Sequence, residues 1–423
     1  MKSSLVTILL AGSLTLSGLV SWAEGNPGAA VPDNYIIQLQ PGANPAAVAA
    51  RHGVAPKFMY DAAINGFAGF VPPGILRQLQ ADPEVTMIVP DREVTAIGKP
   101  TGGGTTTGQV LPLGVKRVTG GNLYDGSGVG IAIIDTGIDL ASAHLNVAGA
   151  SFSAFSATAQ DDNGHGTHVS GIAAAMNNSI GVVGVAAGAT VYAVKVLDRS
   201  GSGSDASIIA GLNWVAQQVA AGQPIKVANM SLGRPGTAGD NQSLHDAINA
   251  VIDKGVIVVV AAGNDCGTTV AAQIPAAYDE VLAVASTTAG QGSSAYKGFP
   301  GIPADTASYF TTDGLIGGRQ VDVSAPGEDQ ENVSRAGFLS SVGILSLKVG
   351  GGTTRMSGTS MASPHVAGIA ALYAKANPAA LAATIKSGII GSGNADGWGS
   401  MPRDGVTTCY SFDGAREGIA VAY

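Results

Sequence analysis

The chain has 423 residues, of which 45% are hydrophobic and 12% are charged, and it contains 61 glycines. This composition indicates a large globular core with many tight turns, and the length fits one catalytic domain with smaller additions. The formal net charge of −8 argues against a nucleic-acid partner.

Residues 1–23 have the composition of an export signal. Lys2 precedes an apolar stretch over residues 5–20, and the small residues Ser21 and Ala23 precede Glu24. This pattern predicts a cleaved signal peptide; the alternative is an uncleaved anchor, which needs a longer apolar run. No later segment is long enough to span a bilayer. We therefore expect a secreted protein, extracellular or periplasmic, with no membrane association once the signal is removed.

A small α+β unit is expected to follow. Its sequence predicts three strands and two helices, and their order is compatible with a ferredoxin-like fold. The strands are expected at 35–39, 66–71 and 85–89, and the helices at 45–51 and 75–81. Residues 98–108 are rich in glycine, which predicts a flexible linker before the main domain.

Three later stretches each present one polar side chain beside an apolar run. Asp135 ends the run 129–134, which reads as a strand buried on both faces. His165 and Ser360 each stand at the mouth of a small-residue helix, and the helix after Ser360 has apolar residues at 366–372 with helical spacing. Parallel sheets place their ligands at the carboxyl ends of the strands.

Each of these residues also has an ordinary structural explanation. Ser360 could be a helix N-cap, and Asp135 could be a turn former. His165 and His168, three residues apart, raise the alternative of a metal site. No carboxylate or cysteine follows them at a zinc-type spacing, which argues against that alternative.

Together the three stretches resemble the Asp, His and Ser blocks of the subtilisin-like serine proteases, in the chain order of that family. The blocks are separated by 30 residues from Asp135 to His165 and by 195 residues from His165 to Ser360. The resemblance implies an α/β fold with a doubly wound parallel sheet over residues 109–423. It also implies that residues 24–97 are a propeptide, which assists folding and inhibits the enzyme until the chain cuts itself within or just before 98–108. A permanent accessory domain is the alternative for this unit.

The resemblance assigns a role to each polar residue. Ser360 is the nucleophile, His165 the general base and then acid, and Asp135 the carboxylate that orients the imidazole. Asn264, which follows the apolar run 255–263, is the side-chain donor of the oxyanion hole. The predicted function is a secreted serine endopeptidase that forms an acyl-enzyme and needs no catalytic cofactor. Two alternatives are a catalytically silent peptide-binding homologue and a relative of carboxyl type that replaces the histidine.

The family also implies a groove that pairs with an extended substrate through backbone hydrogen bonds. Its walls and the pocket for the residue before the cut have small residues, which leave room for a large apolar side chain and favour broad specificity. Asp265 and Gln273 near the pocket could admit basic residues. The predicted substrate-binding residues are Gly201, Ser202, Gly203, Ser231, Leu232, Gly233, Ala261, Ala262 and Gly263.

A structural calcium site is implied by a loop that resembles the calcium loop of the family. Calcium prefers six to eight oxygen ligands, which side-chain amides and backbone carbonyls can supply in part. His144 stands where the family has a carboxylate, and imidazole is a poor ligand for this cation. The implied ligands are Gln109, Met176, Asn178, Ile180 and Val182.

Cys266 and Cys409 are the two cysteines of the chain. In an exported protein they are expected to form a disulfide, with two unpaired thiols as the alternative. The expected partners are protein or peptide substrates and the chain's own propeptide, and the enzyme is expected to be a monomer.

Overall fold

The structure is a computed structural model that describes residues 26–104, 108–298, 300–315, 317–392 and 418–422. The predicted signal peptide 1–23 and Cys409 lie outside these residues. In chain order the elements are β1 (Ala30–Leu39), α1 (Pro45–Arg51), β2 (Phe58–Tyr60), β3 (Gly66–Phe70), α2 (Pro73–Gln80), β4 (Val85–Ala96), β5 (Lys99–Gly104), α3 (Leu113–Thr119), β6 (Gly130–Asp135), β7 (Asn146–Val147), β8 (Phe152–Ser153), α4 (His165–Ala174), β9 (Thr190–Lys195), β10 (Ser202–Ser204), α5 (Asp205–Ala220), β11 (Ile225–Met230), β12 (Leu232–Pro235), α6 (Gln242–Asp253), β13 (Ile257–Ala261), a 3₁₀ turn (Val270–Ala272), β14 (Gln273–Ile274), β15 (Leu282–Thr288), β16 (Val323–Val333), β17 (Leu339–Leu347), β18 (Thr353–Ser357), α7 (Thr359–Ala376) and α8 (Ala382–Ser392).

The larger sheet has parallel strands at its centre, in the order β16-β15-β13-β11-β6-β9. Alternate side chains of a strand point to opposite faces, and both faces here are apolar. Ile131 and Ile133 of β6 join a core that includes α4 and α7. Ile134 joins a second core on the other face, with α5 and α6. Helices therefore cover both faces, as expected for a doubly wound sheet.

The same sheet departs from the predicted all-parallel arrangement at one edge. Antiparallel pairing joins β16 to β17, β17 to β18, and β18 to β5. β16 runs for 11 residues, well past the last residue paired with β15, and its protruding half provides an edge on which a hairpin can add strands. The result is a mixed sheet of 11 strands.

The N-terminal unit is a four-stranded antiparallel sheet in the order β4-β1-β3-β2, with α1 and α2 in its connections. The predicted strands and helices are all present, and β2 is an additional short strand that the sequence analysis did not predict. One face packs on α1 and α2 around Phe67 and Leu79. The other face, with Ile36 and Tyr60, shares a core with α5 and α6.

The first part of the predicted flexible linker 98–108 is instead a strand, because Lys99–Gly104 forms β5 against β18. The sequence analysis did not predict this strand, because its residues include three glycines and glycine has a low β-propensity. The free edge of β18 supplies the hydrogen-bonding partners that the local sequence does not indicate.

Within the described ranges, no helix is long and apolar enough to cross a membrane.

Candidate active site

Asp135 is the last residue of β6, and His165 is the first residue of α4. The His165 Nδ1 atom lies 2.8 Å from Oδ1 and 3.0 Å from Oδ2 of Asp135. Both side chains are buried. Burial lowers the pKa of His165, but the charge and hydrogen bond of Asp135 outweigh it, so the pKa lies above its ordinary value of 6.5.

Asp161 organises the loop that leads into α4, a function that the sequence analysis missed. Its Oδ1 accepts from the backbone N–H groups of Asn163 and Gly164 and from the Thr136 hydroxyl. Its Oδ2 accepts from the backbone and hydroxyl of Thr167. A carboxylate beside the N–H groups of a helix start is a favourable cap. An acidic residue four positions before His165 was the available signal in the sequence.

Ser360 is the second residue of α7, and the N-cap of that helix is Gly358. The Ser360 hydroxyl donates to the carbonyl oxygen of Ser231 over 3.0 Å, so this serine is not a helix cap. The Ser231 hydroxyl in turn donates to the carbonyl oxygen of Ser360 over 2.9 Å. Asn229, also missed from the sequence, donates to Ser231 Oγ and accepts from Ser363 Oγ. This buried network ties the start of α7 to the end of β11.

Asn264 follows β13 and has a fixed amide orientation. Its Oδ1 accepts from the backbone N–H of Thr359 over 2.8 Å and from the Thr359 hydroxyl over 2.9 Å. Its Nδ2 therefore points away from Thr359 and donates to the carbonyl oxygen of Ile97 over 3.2 Å.

Ile97 lies at the end of a segment of the chain that runs through a groove beside these residues. The end of β4 is paired antiparallel with β10 on one side, through Thr95 and Ser202, and with β12 on the other, through Ala96 and Leu232. The Ile97 backbone N–H donates to the carbonyl oxygen of Ser231 over 3.3 Å. The two glycine-containing walls predicted from sequence therefore hold the chain's own residues 93–97.

The next residue, Gly98, passes directly over the imidazole. A Cβ atom at Gly98 would lie 2.8 Å from His165 Nε2 and 3.5 Å from Met361 Sδ. His165 Nε2 is buried and has no hydrogen-bond partner among the described residues. The peptide bond between Ile97 and Gly98 thus lies beside His165 on one side and Asn264 on the other.

A cleft of about 600 Å³ surrounds this bond. Gly201, Gly233, Gly263, Asp265 and Gln273 all line it. The predicted pocket residues Ala261, the last residue of β13, and Ala262, which follows it, are instead buried. Among the described residues that line the cleft, Gly263 is present but Ala261 and Ala262 are not.

The five implied calcium ligands do come together, but four of them surround the side-chain amide nitrogen of the fifth, Gln109. The Nε2 atom of Gln109, which has two hydrogens to donate, lies within hydrogen-bond distance of the carbonyl oxygens of Met176 (2.7 Å), Ile180 (3.1 Å) and Val182 (3.2 Å). It lies 3.5 Å from Asn178 Oδ1. Gln109 Oε1 accepts from the backbone N–H of Ser179, which is consistent with this orientation of the amide.

This donor set fits calcium poorly. All four oxygens that surround the Gln109 amide nitrogen are neutral. The ring of His144 lies nearby, since a Cβ atom at Gly181 would lie 3.1 Å from its Nδ1. Calcium sites gain affinity from the charge of their ligands, and no group of three or more His, Cys, Asp or Glu side chains suited to a metal occurs in the described part of the chain.

Comparison with known proteins agrees with this geometry. The model of the subtilase family matches residues 126–401. M-protease of Shouchella clausii (strain KSM-K16) is 37% identical over 333 residues, which cover 76% of this chain and 73% of that protein. Subtilisin Savinase of Lederbergia lenta is 39% identical over 277 residues, which cover 64% of this chain and 86% of that protein.

A crystal structure of a cold adapted subtilisin-like serine proteinase is similar in fold, with a TM-score of 0.52 and 29% sequence identity over 71% of this chain and 98% of that one. The chain therefore belongs to the subtilase family and is a serine endopeptidase.

Proposed function

We propose that this subtilase is a secreted endopeptidase made as a zymogen, and that it activates itself by cutting the bond between Ile97 and Gly98. Residues 24–97 would be the propeptide, and the mature enzyme would begin at Gly98. Ser360, His165 and Asp135 would form the catalytic triad, with Asn264 in the oxyanion hole.

The observation that carries this proposal is the position of the Ile97 carbonyl group. Its oxygen accepts from Asn264 Nδ2, and the residues before it are paired with both walls of the groove. An extended peptide held between two strands is a substrate-like arrangement. Its carbonyl oxygen lies where an oxyanion donor would act, so the chain presents its own bond to the proposed site.

The chemistry follows from the same contacts. The Ser360 hydroxyl would turn from the Ser231 carbonyl toward His165 Nε2, give up its proton, and attack the carbonyl carbon. Asp135 would hold the imidazole with Nδ1 protonated and stabilise the imidazolium. Asn264 would donate to the developing oxyanion. His165 would then protonate the leaving amine of Gly98, and water would release the acyl group from Ser360.

Contacts between the N-terminal unit and α5 support its role as an inhibitor. The Tyr60 hydroxyl donates to the Ala206 carbonyl oxygen over 3.0 Å, and Tyr60 is fully buried. The Asn213 side-chain oxygen accepts from three successive backbone N–H groups, at residues 61–63. Asp91 accepts from the backbone N–H of Ala206 at the start of α5. After cleavage these contacts would hold the unit over the groove.

The propeptide fold and the preference for residues before the cut were predicted from the sequence, and the structure supports them in part. The strand order β4-β1-β3-β2 supports a ferredoxin-like propeptide. The Ile97 side chain lies beside Gly233, where a Cβ atom would come within 2.8 Å of it, which supports a preference for apolar residues before the cut. The pairing of Cys266 with Cys409 and export through residues 1–23 remain predictions.

The test is to compare wild-type protein with Ser360→Ala after expression in a protease-free host. We expect the wild type to be cut and the variant to accumulate as the uncut chain, since self-cleavage needs the nucleophile. N-terminal sequencing of the wild type should begin at Gly98. A wild-type terminus elsewhere in 96–108 would refute the assigned bond but not self-processing.

A serine-directed covalent inhibitor separates this function from the catalytically silent alternative. The wild-type mass should increase by one adduct, and the Ser360→Ala mass should not change. An uncut wild type without an adduct would favour a peptide-binding protein.

A further inference from the structure

The residues that follow the proposed cut are held by a second strand. β5 pairs antiparallel with β18, with Lys99 opposite Ser357, Pro100 opposite Met356 and, past a bulge at Thr101, Gly102 opposite Arg355. The pairing continues to Gly104 opposite Thr353. If the bond after Ile97 is cut, these residues occupy the second to seventh positions on the leaving-group side of a substrate.

The contacts that hold β5 use its backbone more than its side chains. The Thr353 hydroxyl donates to the Gly104 carbonyl oxygen over 2.7 Å, and the Thr354 hydroxyl donates to the Gly102 carbonyl oxygen over 3.2 Å. A side chain of β5 contributes through the Thr101 hydroxyl, which accepts from the backbone N–H of Gly343 over 2.9 Å. Any extended polypeptide could make the backbone contacts.

β5 is also weakly packed. Its exposed residues are Lys99, Pro100, Gly102 and Gly103. With little apolar area buried, the strand has little to hold it once the chain is cut. β18 itself is buried at Thr353, Met356 and Ser357, and hydrogen bonding to β17 anchors it to the sheet. β18 therefore remains as a formed edge when β5 leaves.

We propose that β18 is an extended binding strand for polypeptide substrates on the leaving-group side, reaching the seventh residue after the cut bond, and that β5 is its first occupant. This inference rests on the proposed function.

The surroundings of β5 also indicate which side chains fit at two positions of a substrate after the cut bond. A Cβ atom at Gly103 would meet nothing within 4 Å, whereas one at Gly104 would lie 2.5 Å from Leu345 Cδ1. The sixth position thus admits side chains without rearrangement, whereas a side chain at the seventh position requires the Leu345 methyl group to shift.

Two internally quenched peptides test the length of the site on the self-processed enzyme. Both carry the residues 94–97 before the bond; one continues for two residues of the native sequence and the other for seven. We expect kcat/KM about tenfold higher for the longer peptide, the effect of one or two net hydrogen bonds. Equal kcat/KM for the two peptides overturns the inference and leaves the proteolytic function standing.

Scanning the longer peptide with N-methyl groups tests the mode of binding. One edge of an antiparallel strand uses every second backbone N–H. The third position is proline, which has no N–H, and the bulge lies at the fourth, so the loss of kcat/KM should alternate along positions five to seven. Losses without alternation would overturn strand pairing. Leucine in place of glycine should be tolerated at the sixth position and should lower kcat/KM at the seventh.

A Thr353→Val variant tests the contribution of β18 directly. The ratio of kcat/KM for the long peptide to that for the short one should fall two- to fivefold, because the donor to the seventh carbonyl is lost. An unchanged ratio contradicts the assigned contact. If neither peptide is cut by the wild type, the proposed function fails and the inference fails with it.

Discussion

The amide nitrogen of Asn264 lies 3.2 Å from the carbonyl oxygen of Ile97, and the oxygen of the same amide accepts two hydrogen bonds from Thr359. The amide is therefore oriented before any reaction begins. A donor fixed in this way stabilises a developing oxyanion without having to reorient. The same contact couples the site to α7, because Thr359 directly precedes Ser360.

Replacing Asn264 should lower turnover with little effect on folding. A donor of this kind in another member of the family is worth about 100- to 1,000-fold in turnover, and we expect a loss of that size for Asn264→Ala. Asn264→Asp keeps the acceptor for Thr359 but replaces the donor, and its turnover should fall at least as far. Steady-state kinetics on a short peptide measure this. Near wild-type turnover in Asn264→Asp would refute the donor role.

The charge of Asp135 should set the protonation of His165. Burial alone lowers the pKa of His165, and Asp135 raises it above 6.5. NMR titration of the uncut Ser360→Ala protein should therefore give a pKa above 6.5. Adding Asp135→Asn removes the charge and leaves the burial, so the pKa should fall below its value in the parent. No fall would mean that Asp135 does not control the imidazole.

Asp91 should make the uncut chain less stable as the pH rises. Burial raises its pKa from 3.8 to about 6, with Asp205 adding to the rise and the Ala206 N–H and Lys57 opposing it. The folded chain thus binds the proton more tightly than the unfolded chain does. Stability from this group is fully present below pH 3.8 and is lost as the pH rises through about 6.

Asp91→Asn in the Ser360→Ala background tests this dependence. The amide keeps an acceptor for Ala206 but cannot ionise. At pH 8 the free energy of unfolding of the double variant should exceed that of the Ser360→Ala parent by roughly 2 to 3 kcal/mol. The difference should shrink toward pH 4.5. A difference that is constant with pH, or of opposite sign, would contradict the effect.

Calcium should have little effect through the loop around Gln109. The oxygens that surround its amide nitrogen are all neutral, and the described residues contain no group of three or more His, Cys, Asp or Glu side chains suited to a metal. His144→Asp would supply a carboxylate, and calcium at 100 times its Kd should then stabilise the protein by about 2.7 kcal/mol. Thermal unfolding in calcium and in chelator measures this, with His144→Asn as the uncharged control. A large calcium effect in the wild type that is lost in Gln109→Ala would contradict the prediction.

The elements that carry the proposed site could be predicted from local patterns in the sequence. Apolar runs with a polar residue at one end predicted β6 with Asp135 and β13 followed by Asn264, and both strands are present. Small-residue helices predicted the positions of His165 and Ser360. These predictions succeed because local hydrophobic periodicity and the ends of buried elements are properties of short stretches of chain.

The support of these elements and the occupant of the groove depend on contacts between distant parts of the chain. Asn229 and the strand β5 were not predicted, because their partners lie far away in the chain. Asn229 bonds to Ser363, 134 residues later, and β5 pairs with a strand about 250 residues later. A buried amide or a glycine-rich strand is stabilised by groups that meet only after folding, and a local pattern holds no record of them.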